Sequence, residues 1–261
     1  MKPLTSNNPK NTQKNSKSGS SKAVANPNTS GSKGFWLALG ELVIIGALVI
    51  GLIVYNGRGA QAERIAENTE SVEGVEMDFS DNTITLSGEG KEGKEVRIFE
   101  DFSCSYCAEL STKTDADMLE KIKDGTYKVE IHPMVFQDGV GDSYQPGHST
   151  RALAATLSLA DHGDLTAYWN LRKFLMENQQ QAYNQYDMDG LADLARDYGA
   201  SKAAVDDIRE GKHTEMAKQV SEANETWLVD NTGELSSPRV LIDGKEVDSD
   251  KLFNWVKEYD K

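Results

Sequence analysis

The chain has 261 residues, 38% of them apolar, and sets 28 Lys and Arg against 42 Asp and Glu for a formal net charge of −14. This length and composition suit one globular domain with accessory segments. So acidic a body repels phosphate backbones, which argues against nucleic acid as a partner.

Residues 1–34 carry six Lys and no acid, with scarcely a large apolar side chain, and are expected to form a disordered cytoplasmic tail because they bury too little surface to offset chain entropy. Phe35 to Tyr55 follows with 21 residues, nearly all apolar, enough at the helical rise to cross about 30 Å of hydrocarbon. We read residues 35–55 as a single transmembrane helix. The Lys residues ahead of it place the amino terminus in the cytoplasm, giving a single-pass cell-membrane protein with an extracytoplasmic body. A signal peptide cleaved near Ala60-Gln61-Ala62 is the competing reading; the long leader and long apolar run favour a retained anchor. Residues 56–74 read as a linker, and residues 75–261 as the domain.

Within the domain, Glu76 to Ser87 reads as a hairpin or edge strand turning at Asp81-Asn82, and Glu95 to Phe102 as a more central strand. Ala108 to Lys123 has helical spacing of Leu110, Met118, Leu119 and Ile122, and Tyr127 to Phe136 returns to a strand. The result is a βαβ unit with Ser103-Cys104-Ser105-Tyr106-Cys107 at its strand-to-helix junction. About residues 147–229 are helical: Ser149 or Thr150 is the expected cap of the first helix, ending at Gly163. Leu165 to Glu177, then Met188 to Tyr198 capped by Asp187, a helix capped by Ser201, and Thr214 to Trp227 complete the block. Arg239 to Ile242, the Asp243-Gly244 turn and Lys245 to Val247 form a hairpin, and an amphipathic helix with Leu252, Trp255, Val256 and Tyr259 closes the chain.

The two Cys are three positions apart, and there is no third with which to mispair. At a helix start, unpaired N–H groups and the macrodipole favour a thiolate on the first sulfur while the second turns inward. Cys104 is then the attacking thiol and Cys107 the resolving one. A zinc site would need further ligands from His132, His148, His162 and His213, which lack the usual spacing, so no metal is expected. A purely structural disulfide stays open, although the loop it closes is short.

Phe99 to Leu110, the following HPMVF strand, the helical insertion and SSPRVLIDGKEV together resemble the DsbA-like branch of the thioredoxin superfamily, over about residues 75–261. The resemblance implies an α/β thioredoxin-like fold with an inserted helical domain, here preceded by the transmembrane helix. It further implies a cis peptide between Ser237 and Pro238 that aligns an extended substrate, and reoxidation by a membrane partner of the DsbB or VKOR type. It points to Cys104-Cys107 as a redox-active disulfide that needs no other cofactor. Two departures matter. Ser105 and Tyr106 supply no cation between the cysteines, and Glu100, Asp101 and Glu109 nearby would raise the Cys104 pKa and soften the oxidant. Ile98 stands where relatives often place a carboxylate serving the buried thiol; Glu100 or Asp101 would substitute, but strand alternation puts them on opposite faces. Their ordinary reading, as solvated or locally hydrogen-bonded acids, stays open.

The expected activity is dithiol oxidation, which introduces disulfides into secreted or cell-envelope proteins. Reduction or isomerisation by the same residues is the alternative, since direction depends on potential. An isomerase usually dimerises, and no dimer-forming segment is evident, so a monomer is expected. A tethered peptide-binding or chaperone-like module, with the disulfide only structural, is the reading from another class.

Overall fold

The structure, a computed structural model, describes residues 69–259. The expected tail, the transmembrane helix of residues 35–55 and most of the linker lie outside them. Among the described residues no helix is long and apolar enough to cross a membrane.

β1 (Val75–Ser80) and β2 (Thr83–Gly88) are joined by Asp81 and Asn82, with φ of 50° and 64°. Two left-handed residues in a row match the twist of the flanking strands, and Asp and Asn tolerate that conformation. β3 (Lys94–Asp101) and β4 (Tyr127–Met134) run parallel, Ile98 opposite Ile131, with α1 (Ser105–Lys123) crossing between them. β5 (Arg239–Ile242) and β6 (Lys245–Glu246) close a second two-residue turn at Asp243-Gly244. The six strands are ordered β1-β2-β4-β3-β5-β6. β3 is therefore central, and Val96, Ile98 and Phe99 on its two faces are all buried. From Ile98 to Asp101 every residue is buried, so the end of the strand that leads into the turn is covered on both faces.

Between β4 and β5 lies the helical block: α2 (His148–Asp161), α3 (Leu165–Glu177), the short α4 (Gln179–Ala182), α5 (Met188–Asp197), α6 (Lys202–Arg209) and α7 (Thr214–Thr232). Asp187 Oδ1 accepts from Gly190 N at 2.9 Å, and Ser201 Oγ from Ala204 N at 3.3 Å, capping α5 and α6. α3 packs on α1, and α7 on β4. A 3-10 turn (Leu252–Asn254) leads into α8 (Trp255–Tyr259), where a single longer helix was expected.

Two expectations fail at element ends. Neither Ser149 nor Thr150 caps α2; both lie inside its first turn. The cap is supplied from outside, by Asp138 Oδ2, which accepts from Gly147 N (2.9 Å), Thr150 N (2.7 Å) and Thr150 Oγ1 (2.7 Å). A carboxylate there satisfies orphan N–H groups and opposes the positive end of the helix dipole. α7 continues past Trp227 to Thr232, stopping where Gly233 takes φ of 79°.

The chain enters the domain along α3. Glu70 N donates to Asn170 Oδ1 (2.7 Å), and Asn170 Nδ2 donates back to Glu70 O (3.0 Å). Glu70 Oε2 accepts from Trp169 Nε1 (2.9 Å) and Lys173 Nζ (2.8 Å).

Candidate active site

β3 ends at Asp101 and the chain turns at once into α1, so the residues of the turn face the end of the sheet's central strand. Cys104 is the N-cap of α1, with φ of −81° and ψ of 115°, and its N–H donates to Asp101 O at 3.0 Å. Its side chain therefore sits beside the free N–H groups of the first helical turn. Cys107 lies within that turn. Cys104 is 6% exposed and Cys107 2%; Ser105 and Tyr106 are exposed, Tyr106 at 62% with its ring 6.5 Å from Phe253.

The loop before β5 closes over the pair. The Ser237-Pro238 peptide is cis, and Cys104 Sγ lies 3.3 Å from Ser237 O, which accepts its hydrogen while the thiol is protonated. The Ser237 hydroxyl oxygen is buried without another partner and favours thiolate at both sulfurs. Residues 237 and 104, distant in sequence, are thus brought together.

The two sulfurs are electrostatically unlike. The hydrogen bond from the Cys107 thiol, helped by Ser237 and the N–H groups of Tyr106 and Cys107, outweighs burial and brings the Cys104 thiol down to about 6. Burial, and then the neighbouring Cys104, push Cys107 well above the usual thiol range. The expectation that nearby acids raise Cys104 is corrected, because the hydrogen bonds from Cys107, Ser237 and the helix N–H groups prevail at its sulfur. Glu109 pairs with Lys113 Nζ at 2.6 Å.

Glu100 and Asp101 are buried, at 3% and 0% exposure, which rules out the solvated reading. Glu100 faces the helical block, where Arg172 of α3 donates Nε to Oε1 (2.8 Å) and Nη2 to Oε2 (2.6 Å), while its Nη1 reaches Asp115 Oδ2 on α1 (2.6 Å). Asp101 stays with the cysteines. Its N–H lies 3.5 Å from Cys107 Sγ; its Oδ1 accepts from Ser103 N (2.8 Å) and Ser149 Oγ (2.5 Å), and its Oδ2 from Gln137 N (3.0 Å). Burial lifts this carboxyl to about 7 against those three bonds.

Sequence reasoning missed Arg172, the bond of Ser149 to Asp101, and Gln179, whose Nε2 donates to Phe102 O (2.7 Å) and Cys104 O (3.1 Å). Only Arg172 left a trace, as a cation amid the apolar run Leu171, Phe174, Leu175 and Met176. Two open grooves reach residues next to the pair and its loop, Ser105 and Pro238. One, of about 460 Å³, is lined by Ser105, Glu109, Lys113, Met176 and Gln179; the other, of about 410 Å³, by Pro238, Val247, Asp248 and Leu252. Among the described residues no three His, Cys, Asp or Glu side chains gather as metal ligands.

Comparison with known proteins agrees with this geometry. The thioredoxin family profile matches residues 80–259. No curated protein sequence matches. Among solved structures the chain is similar to MdbA, a thiol-disulfide oxidoreductase from Corynebacterium matruchotii, with 34% identity and a TM-score of 0.71 over 77% of this chain and 98% of that one. It is likewise similar to MdbA from Corynebacterium diphtheriae, with 38% identity and a TM-score of 0.69 over 74% and 97%. DsbA from Mycobacterium tuberculosis, at 19% identity and a TM-score of 0.50 over 71% and 91%, shares the fold. With the thiol pair at the head of α1 and these matches over most of its length, the chain belongs to the DsbA-like family of the thioredoxin superfamily and is a protein-disulfide oxidoreductase.

Proposed function

We propose that the chain is a membrane-anchored dithiol oxidase that donates the Cys104–Cys107 disulfide to secreted or cell-envelope proteins. The observation that carries this reading is the asymmetry of the pair: a thiol brought down to about 6 at the head of a helix, beside a buried thiol pushed far up. A substrate thiolate attacks Cys104 Sγ; the Cys104–Cys107 bond breaks, and Cys107 leaves and takes a proton. A second substrate thiolate attacks the substrate sulfur of the mixed disulfide and releases Cys104 as thiolate. The substrate loses two electrons and gains a disulfide, and the enzyme pair is reduced. At pH 7 a thiol with a pKa of about 6 is about nine-tenths ionised. A stable thiolate stabilises the reduced enzyme, which is what makes a disulfide oxidising.

Ser237 and Pro238 line the path of the extended substrate chain, which lies in the grooves that reach Ser105 and Pro238. Asp101, at the pair, is the acid that serves it, since both oxygens of Glu100 are taken by Arg172. The 21-residue apolar run of residues 35–55 anchors the enzyme with its domain outside the cell membrane. A membrane protein of the DsbB or VKOR type, itself carrying a disulfide, takes the two electrons back.

The test is the equilibrium of the full chain with glutathione. A potential of about −120 to −180 mV fits a disulfide donor; about −270 mV makes it a reductase, and one below about −300 mV makes the bond structural.

A further inference from the structure

The loop that carries Cys104 is held from two sides. On the sheet side Asp101 O accepts from Cys104 N. On the other side stands Gln179, the first residue of α4, whose Nε2 lies 2.7 Å from Phe102 O and 3.1 Å from Cys104 O. A carbonyl oxygen can only accept, so both hydrogens of the amide face the loop and its oxygen faces away.

Two physical effects follow. Cys104 O already accepts from Ala108 N at 3.1 Å, the first backbone bond of α1. The second donor fixes the peptide plane that gives Cys104 its extended backbone and aims its sulfur at the helix N-terminus. The positive end of the amide dipole also lies against the residue whose sulfur has to carry negative charge. Ser105 and Tyr106 supply no cation for that purpose.

We propose that Gln179 is a positioning residue of the redox centre, through which the helical block sets the thiolate stability of Cys104 and the potential of the pair. This rests on the reading of Cys104 as the attacking thiol. Gln179 touches neither sulfur; it acts through the two carbonyls. Loss of two hydrogen bonds, one of them on the thiolate's own residue, lowers the thiolate equilibrium about threefold to tenfold. The same factor in the exchange equilibrium is a fall in potential of about 15–30 mV.

The experiment is Gln179→Met in the full chain, which keeps the length of the side chain and removes its N–H groups. Reduced protein is titrated by ultraviolet thiolate absorbance, the potential is set against glutathione, and circular dichroism reports the fold. The Cys104 titration is expected to move up and the potential to become more negative with the helical signal unchanged. A folded variant with both values at those of the parent overturns the proposal. If the Met variant loses helical signal, Gln179→Ala, which leaves no long side chain to misplace, is read in the same two ways. Cys104→Ser, run alongside on a dithiol peptide, separates the two layers of argument: if it still oxidises the peptide, the assignment of Cys104 itself fails whatever Gln179 does.

Discussion

The asymmetry of the two thiols predicts how the redox potential depends on pH. Below about 6 both thiols of the reduced protein are protonated, so two protons accompany two electrons; above it Cys104 is a thiolate and only Cys107 takes a proton. With about 30 mV for each tenfold change in a two-electron equilibrium, the potential should fall by about 59 mV per pH unit below the break and about 30 mV above it. From pH 5 to pH 8 the total is about 120 mV, against about 180 mV for a pair with ordinary thiols. The assay is equilibration with glutathione at closely spaced pH values. A single slope of about 59 mV through pH 8 would refute the assignment of the low pKa to this pair. Stability obeys the same sign. The folded pKa of Cys104 is depressed, so its contribution to the dithiol form is complete above the unfolded thiol value and is lost as pH falls through about 6. At pH 7 it is about 1 kcal/mol, or about 2–4 °C in the melting temperature of the reduced form, and it is absent from the disulfide form.

Arg172→Met strands Glu100 and Asp115 as buried, uncompensated carboxylates; the expected loss is about 3–5 kcal/mol by urea unfolding, and a loss under about 1 kcal/mol would mean that the cluster does not hold α3 to β3 and α1. Asp138→Ala removes the acceptor of three donors at the start of α2 and should cost about 0.5–2 kcal/mol in the same assay. Ser149→Ala removes a hydrogen bond that lowers the Asp101 pKa, so the carboxyl is expected to titrate above its parent value of about 7, read by carboxyl infrared absorption; no movement would show that the Ser149 bond is not felt at Asp101.

The local signals were legible because their physics is local. Asp81-Asn82 and Asp243-Gly244 are turns by residue type alone, and both adopt the left-handed conformation that type requires. The βαβ unit could be read from the change of period between Glu95 and Phe136, and the thiol pair from its spacing. What escaped is carried by residues far apart in the chain. Sequence points to Ser149 or Thr150 as the α2 cap because a hydroxyl near a helix start is the ordinary acceptor for its free N–H groups. Asp138 fills that place across a loop, which frees Ser149 to bond Asp101 and Ser103. Glu100 and Asp101 could not be separated by alternation, since that rule says only that they face opposite ways. The partner of each decides the matter, and neither Arg172 nor Ser149 is near them in sequence. Gln179 carries no periodic or motif signal at all.

The bonds along α3 have a mechanical consequence. One edge of this helix receives the incoming chain at Asn170, Trp169 and Lys173, and another, through Arg172, grips the strand that ends at Asp101. A pull on the segment around Glu70 is therefore borne by the same rigid rod that braces the base of the thiol loop. Displacement of the chain at Glu70 and alignment of the strand that leads to Cys104 are loads on one beam.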